Sequence, residues 1–312
     1  MNKSNKGIHH ISIIAGDPSI NAEFYTKKLG MRMVLKTVNQ DDPGTYHLFY
    51  ANGQGQPGSS ITFFPWPMAA KGKAGTGQNN QIAFGVPKAS EKFWRERLTK
   101  FEIVYEEVTR FGYDLLRFED PDGLTLELVF DDAVKDVPGW EAAEVPEEHS
   151  IRGFWSATLK LVSAPKTVEI LENVAGFEKV KQEGSLALYK TDSSIGNHII
   201  VEETGSSEPT QNGRGIVHHI AFRAKNEQEL SEMRQKVLEY GLSPTQHIDR
   251  HVFKSVYFMT PGGILFELAS DDPGYKSVVE DESEMGKELF LPPWLEPKRD
   301  RIESALPALE TD

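Results

Sequence analysis

Short runs in which apolar and polar residues alternate recur along this chain, each closed by a turn rich in proline or glycine, which is the pattern of half-buried strands. Longer segments between some of them carry helix signals. Asp17-Pro18 caps and opens the first, with Ile20 and Phe24 on one face and Gly30 as its stop. Asn226 and Glu229 form a capping box for another, in which Leu230, Met233 and Val237 face the core and Gly241 ends the run. End to end, the order is strand, helix, then three strands, four times over. This predicts an α+β protein of four βαβββ modules at residues 1–68, 79–135, 150–205 and 213–275, followed by a tail at 276–312. Residues 69–80 and 136–149 read as linkers. The tail, with Leu291-Pro292-Pro293-Trp294, reads as a strap across the domains.

Internal repetition supports that division. Gly7-Ile8-His9-His10-Ile11-Ser12 returns as Gly215-Ile216-Val217-His218-His219-Ile220-Ala221 with one insertion. The stretch from Asp120 to Leu128 matches the stretch from Thr260 to Leu268, and both continue to an Asp-Asp pair, Asp131-Asp132 and Asp271-Asp272. The spacing is too long for a solenoid and suits a small supersecondary unit.

Composition narrows the chemistry. The 312 residues, 38% hydrophobic and 26% charged, suffice for two domains with real cores. A formal charge of −13 makes nucleic acid and anionic membrane surfaces poor partners. With no cysteine, any metal must be held by nitrogen and oxygen. No signal peptide and no apolar run of the ~20 residues a span needs is visible, so a cytoplasmic protein is expected.

Neighbouring side chains on a strand point to opposite faces, so only one histidine of each His-His pair can face a given cavity. His10 shares its face with Ser12, whereas His9 sits with Ile11 and Ile13; His219 goes with Ala221, whereas His218 sits with Ile220 and Phe222. The faces with small or polar residues are the cavity side, which selects His10 and His219. Glu267 alternates against Phe266 and Leu268, opposite those large apolar groups. Two histidines and one carboxylate on strands make the facial triad of non-haem Fe(II) oxygenases. A single strand histidine is most often structural, and Glu127 repeats the Glu-Leu ending without an evident histidine partner. Two equivalent His-His pairs plus the fourth-unit glutamate shift the reading to a metal site.

These motifs resemble the vicinal-oxygen-chelate superfamily, and within it the ring-cleaving dioxygenases of hydroquinones and chlorohydroquinones, over nearly the whole chain. The resemblance implies βαβββ modules paired into two open, curved, mixed-sheet barrels. It also implies one Fe(II) per chain, with Mn(II) as the other metal such a set takes, held by His10, His219 and Glu267. Because the third module opens Gly153-Phe154-Trp155-Ser156 without a histidine, modules one and four should share the metal-bearing barrel. The second pair offers only Gln81, Ser156 and Glu127, a poor metal site.

Family positions further imply His218, Arg250 and Tyr257 as catalytic residues, and His9 and Ser12 at the substrate, with Ser12 where threonine would be expected. Gln246–Val252 reads as a strand with Arg250 on the face of Ile248 and Val252, opposite Asp249 and His251. Each has a plain alternative: Arg250 pairing with Asp249 or another carboxylate, Tyr257 in the core, His218 structural. The implied reaction is O2-dependent opening of a hydroquinone-type ring, with a small aromatic substrate as partner and self-association into a homo-oligomer left open. Two rivals stand beside it. A glyoxalase-like isomerase or thiol transferase would need four protein ligands, and the matching place in Ile61-Thr62-Phe63-Phe64 is Phe63, which cannot bind a metal. An aromatic- or drug-binding protein would not need the complete ligand set.

Overall fold

The structure is a computed structural model that describes residues 6–142 and 144–309; residues 1–5 of the first predicted module and 310–312 of the predicted strap lie outside the described residues. The first unit comprises β1 (Ile8–Ala15), α1 (Pro18–Ala22), β2 (Arg32–Asn39), β3 (Asp42–Ala51) and β4 (Ser60–Pro65). The second comprises β5 (Gln78–Val86), α2 (Glu91–Lys100), β6 (Tyr105–Arg110), β7 (Tyr113–Glu119) and β8 (Thr125–Phe130). In the third are β9 (Gly153–Leu161), α3 (Pro165–Asn173), β10 (Glu178–Glu183), β11 (Leu186–Lys190) and β12 (His198–Glu203). The fourth holds β13 (Ile216–Ala224), α4 (Glu227–Glu239), β14 (Ile248–Asp249), β15 (Lys254–Met259) and β16 (Leu265–Ser270), and α5 (Arg299–Ala305) lies in the tail.

The strands form two curved, mixed, eight-stranded sheets, ordered β14-β15-β16-β13-β1-β4-β3-β2 and β10-β11-β12-β9-β5-β8-β7-β6. One sheet therefore joins the first unit to the fourth, and the other joins the second to the third. Each seam is antiparallel, β1 on β13 and β5 on β9, while each unit's first and last strands run parallel. One apolar core runs through all four units, with Phe63, Trp94, Leu159 and Phe222 fully buried. Burial of such side chains contributes roughly 1.5–3 kcal/mol each.

Local signals act as their chemistry requires. Asp17 accepts from the backbone of Ser19 and Ile20, and Asn226 from Glu229 N. Glu229, however, reaches back to Lys225 N rather than Asn226 N. The first helix is shorter than the pattern implied. After Ala22 it widens into a π-helical turn, Glu23–Lys28, which turns Phe24 inward while Ile20 stays exposed at 54%. Residues 69–80 are not a loose linker. Lys71, Lys73 and Thr76 bridge to Arg214, Gln211 and Pro209, and β5 already begins at Gln78. The tail packs along the first unit's edge strand: Leu289 bridges to Lys36, and Leu291, Leu295 and Ile302 bury against Val38.

Candidate metal centre

His10, His219 and Glu267 come from three adjacent central strands, β1, β13 and β16, and all three are buried. Ala221 lies opposite His10 on one side and Glu267 on the other, so a methyl group leaves room for the larger side chains to converge. Glu267 Oε2 stands 2.8 Å from His219 Nε2 and 3.2 Å from His10 Nε2, and the two imidazole nitrogens are 3.3 Å apart. Donors at right angles around an ion, each about 2.1 Å from it, stand roughly 3 Å apart. The other carboxylate oxygen, Oε1, accepts from Ser255, but buried Oε2 has no partner with hydrogen-bond geometry. An orphaned carboxylate oxygen beside two imidazole nitrogens is what a cation would satisfy. Burial opposes the Glu267 charge, but His10 and His219 outweigh it and hold its pKa well below the usual value. The three donors fit a metal.

The preceding residue of each His-His pair has a defined part. His9 Nδ1 lies 2.8 Å from His10 Nδ1, and His218 Nδ1 lies 2.8 Å from His219 Nδ1. Ring centroids are 5.1 Å apart in both pairs, with interplanar angles of 81° and 80°. For His10 and His219 to present lone pairs on Nε2, their protons must sit on Nδ1, where the neighbouring histidine accepts them. Burial, then His10, pulls the His9 pKa well below the ordinary value, which keeps that acceptor neutral. His9 packs against Phe253 and does not line the cavity. The sequence places it at the substrate; the structure places it behind His10, away from the cavity. His218 does line the cavity, is exposed to it, and so combines a hydrogen bond to His219 with an open Nε2 edge.

The centre opens into a cavity of about 370 Å³. Its walls are largely aromatic, with Phe49, Phe64, Trp66 and Phe253, and its polar groups include Arg250, Tyr257 and His47. Arg250 is not on a strand. β14 ends at Asp249, and a turn follows in which His251 takes φ +73° and Arg250 N donates to Phe253 O at 2.9 Å. The strand reading failed because a turn residue with positive φ leaves no trace in an alternating pattern. Arg250 still enters the cavity with Ile248 and Val252, apart from Asp249 and His251. Its Nη2 donates to Asp41 Oδ2 at 3.0 Å, and its guanidinium lies 5.6 Å from the Tyr257 ring. Burial disfavours the Arg250 charge, but Tyr257 and Asp41 raise its pKa above even the arginine norm. Burial, then Glu267, raises the Tyr257 pKa, so its hydroxyl stays protonated at neutral pH.

The seam register relates the two halves of the sheet. His10 faces Ala221 and Ser12 faces His219, so a two-fold through the seam exchanges His10 with His219 and Ser12 with Ala221. Ala221 pairs with Glu267 and Ser12 pairs with Thr62. Thr62, not Phe63, is therefore the counterpart of Glu267. The register of β4 on β1 leaves Phe63 on the helix-facing side, 4.6 Å from the Tyr25 ring. Ser12, expected at the substrate, is fully buried beneath the cavity and meets Thr62 Oγ1 at 2.8 Å. Thr62 is further bonded to His47 Nε2 at 2.8 Å, so it offers no fourth ligand.

The same register places Gln81, Ser156 and Glu127 at the corresponding positions of the other sheet. There the carboxylate is satisfied by protein: Arg110 and Arg117 pair with Glu127, and Gln81 donates to it. Phe111 and Trp155 fill the space that is open in the first sheet. No metal is needed.

The matching family model spans residues 7–128 and 160–268. The chain belongs to the glyoxalase/bleomycin resistance protein/dioxygenase superfamily. Within this superfamily it is 42% identical to MhqO of Bacillus subtilis (strain 168), assigned as a ring-cleaving dioxygenase, over 98% of this chain and 97% of that one. It is 31% identical to a chlorohydroquinone/hydroquinone 1,2-dioxygenase of Sphingobium indicum, over 95% and 94% of the two chains. A crystal structure of a protein assigned as a dioxygenase, also from Bacillus subtilis, superposes with a TM-score of 0.94 at 40% identity, covering 99% of each chain. The superfamily is metal-dependent, and His10, His219 and Glu267 form a set that could bind a metal. Among the described residues, no helix is long and apolar enough to cross a membrane.

Sequence reasoning missed His47, Thr62 and Ser255. His47 alternates with Phe49 along Tyr46-His47-Leu48-Phe49-Tyr50, so the face argument applied to the first histidine pair would have reached it.

Proposed function

We propose that this chain is an Fe(II)-dependent dioxygenase that opens hydroquinone-type rings with O2. The observation that carries the reading is a three-donor centre at the wall of a small aromatic cavity, in a chain whose full-length relatives are named as ring-cleaving dioxygenases. When bound by His10, His219 and Glu267, Fe(II) supplies open positions for a phenolate and O2 and the electron transfer that couples them. The aromatic walls hold the ring and exclude water, which strengthens every polar contact within. Arg250, cationic and preorganised by Asp41, stabilises negative charge that develops on substrate oxygens. Tyr257, held protonated, donates a hydrogen bond from the same side. His218 remains neutral and offers its Nε2 edge to the cavity as a proton carrier, while its Nδ1 holds His219 in the ligating tautomer.

The test is oxygen uptake by protein reconstituted anaerobically with Fe(II), compared across hydroquinones and catechols. Uptake should be faster with 1,4-diols. A clear preference for catechols overturns the substrate class, and absence of uptake with every phenol overturns the reaction.

A further inference from the structure

His47 is a cavity residue that the scheme above does not use. Its ring is packed between Phe49 and Phe64, with centroids 4.0 and 4.2 Å away, so it sits rigidly in the aromatic wall. It stands on β3, two residues before Phe49, which pairs with Thr62. Across the seam, Ser255 stands two residues before Tyr257, which pairs with Glu267. Ser255 donates to the metal-site carboxylate, and His47 is bonded to that carboxylate's counterpart, Thr62. The module that provides no carboxylate thus holds a histidine at the place where the other holds a supporting serine.

The hydrogen-bond chain sets the polarity of this histidine. Thr62 Oγ1 stands between Ser12 Oγ and His47 Nε2, 2.8 Å from each. Among the described residues, Ser12 Oγ has no other side-chain partner. If Ser12 donates to Thr62 and Thr62 donates to Nε2, every buried hydroxyl proton has an acceptor. The opposite order leaves the buried Ser12 proton without one, which is costly for a group cut off from water. His47 therefore accepts at Nε2 and carries its proton on Nδ1, for which no partner is found among the described residues. A wall residue with one nitrogen anchored and an N–H left over is built to meet an oxygen in the cavity.

We infer that His47 Nδ1–H binds the substrate oxygen remote from the metal, making His47 the residue that favours a ring with a second, distant oxygen over a simple phenol. The inference rests on the proposed aromatic substrate class, and it assigns the recognition of that second oxygen to the first module, opposite Arg250 and Tyr257. Ring position follows from it: two oxygens on adjacent carbons lie together on one side of the ring, whereas a 1,4-diol carries them at opposite ends.

The experiment is anaerobic calorimetric titration of the metal-loaded protein with hydroquinone, 4-methylphenol and catechol, together with metal content. His47→Phe keeps the ring between Phe49 and Phe64 and removes both nitrogens. It should weaken hydroquinone binding roughly tenfold, the scale of one lost hydrogen bond, with 4-methylphenol binding and metal content unchanged. His47→Gln, which restores a donor, should recover part of the loss. Equal weakening for hydroquinone and 4-methylphenol, or none for either, overturns the inference, as does wild-type protein that binds the two equally. If His47→Phe loses hydroquinone selectively while the wild type consumes no O2 with any diol, His47 stands and the proposed reaction falls.

Discussion

Arg250 of the fourth unit and Asp41 of the first are joined by a 3.0 Å ion pair at the cavity that both units line. Asp41 is 76% exposed, so the pair contributes little to stability, within the usual 0–1 kcal/mol of surface pairs. Its effect is to aim the guanidinium. Arg250→Met should lower turnover roughly 100- to 1,000-fold, the scale of losing one preorganised donor to developing charge, with iron content and Tm nearly intact. Arg250→Lys should recover part of it, restoring charge without the planar fork. Near-normal steady-state rates in both variants would make the pair merely structural.

Removing His10, His219 or Glu267 as alanine should abolish stoichiometric iron binding and leave the fold intact, read by metal analysis and circular dichroism. Glu127 sits at the matching place in the other sheet, but there it neutralises Arg110 and Arg117. Glu127→Gln should therefore keep full iron and lose stability by about 3–5 kcal/mol, the usual cost of breaking a buried pair, read by urea unfolding. Iron loss in that variant would refute the division of labour between the sheets.

His9 touches His10 and stays clear of the cavity. His9→Phe fills the volume but cannot accept the His10 Nδ1 proton. Metal affinity should fall about 10- to 100-fold, while KM for the phenol, measured at saturating Fe(II), should stay put. A change in KM with unaltered metal affinity would return His9 to the substrate.

Asp120 links the first and second units by accepting from Tyr25 at 3.0 Å, and burial raises its pKa from 3.8 to about 6. Between these values the native state holds a proton that the unfolded state has lost, so ionisation works against folding as pH rises from about 4 to 6. Asp120→Asn removes that titration. The stability difference between wild type and variant should shift in favour of the variant across this window, by on the order of 2 kcal/mol. A difference independent of pH in urea unfolding would show that Asp120 titrates normally.

The sequence by itself determined the four-unit order and the three residues that converge, His10, His219 and Glu267, because both depend on short-range periodicity. Alternation on β1, β13 and β16 is a property of neighbouring residues, and it was enough to choose His10 over His9 and His219 over His218. What the tertiary structure decided depends on partners far apart in the chain. Within Ile61-Thr62-Phe63-Phe64 the match for Glu267 reads as Phe63, yet hydrogen-bonded register on β1 puts Thr62 there, because a slip of one residue moves a side chain to the opposite face. Arg250 reaches the cavity from a turn closed onto Phe253 O and Asp249 Oδ1, and its guanidinium is held there by Asp41 of the first unit. Glu127 repeats the sequence around Glu267, but its distant neighbours Arg110 and Arg117 satisfy its carboxylate, whereas Glu267 Oε2 is left without a hydrogen-bond partner.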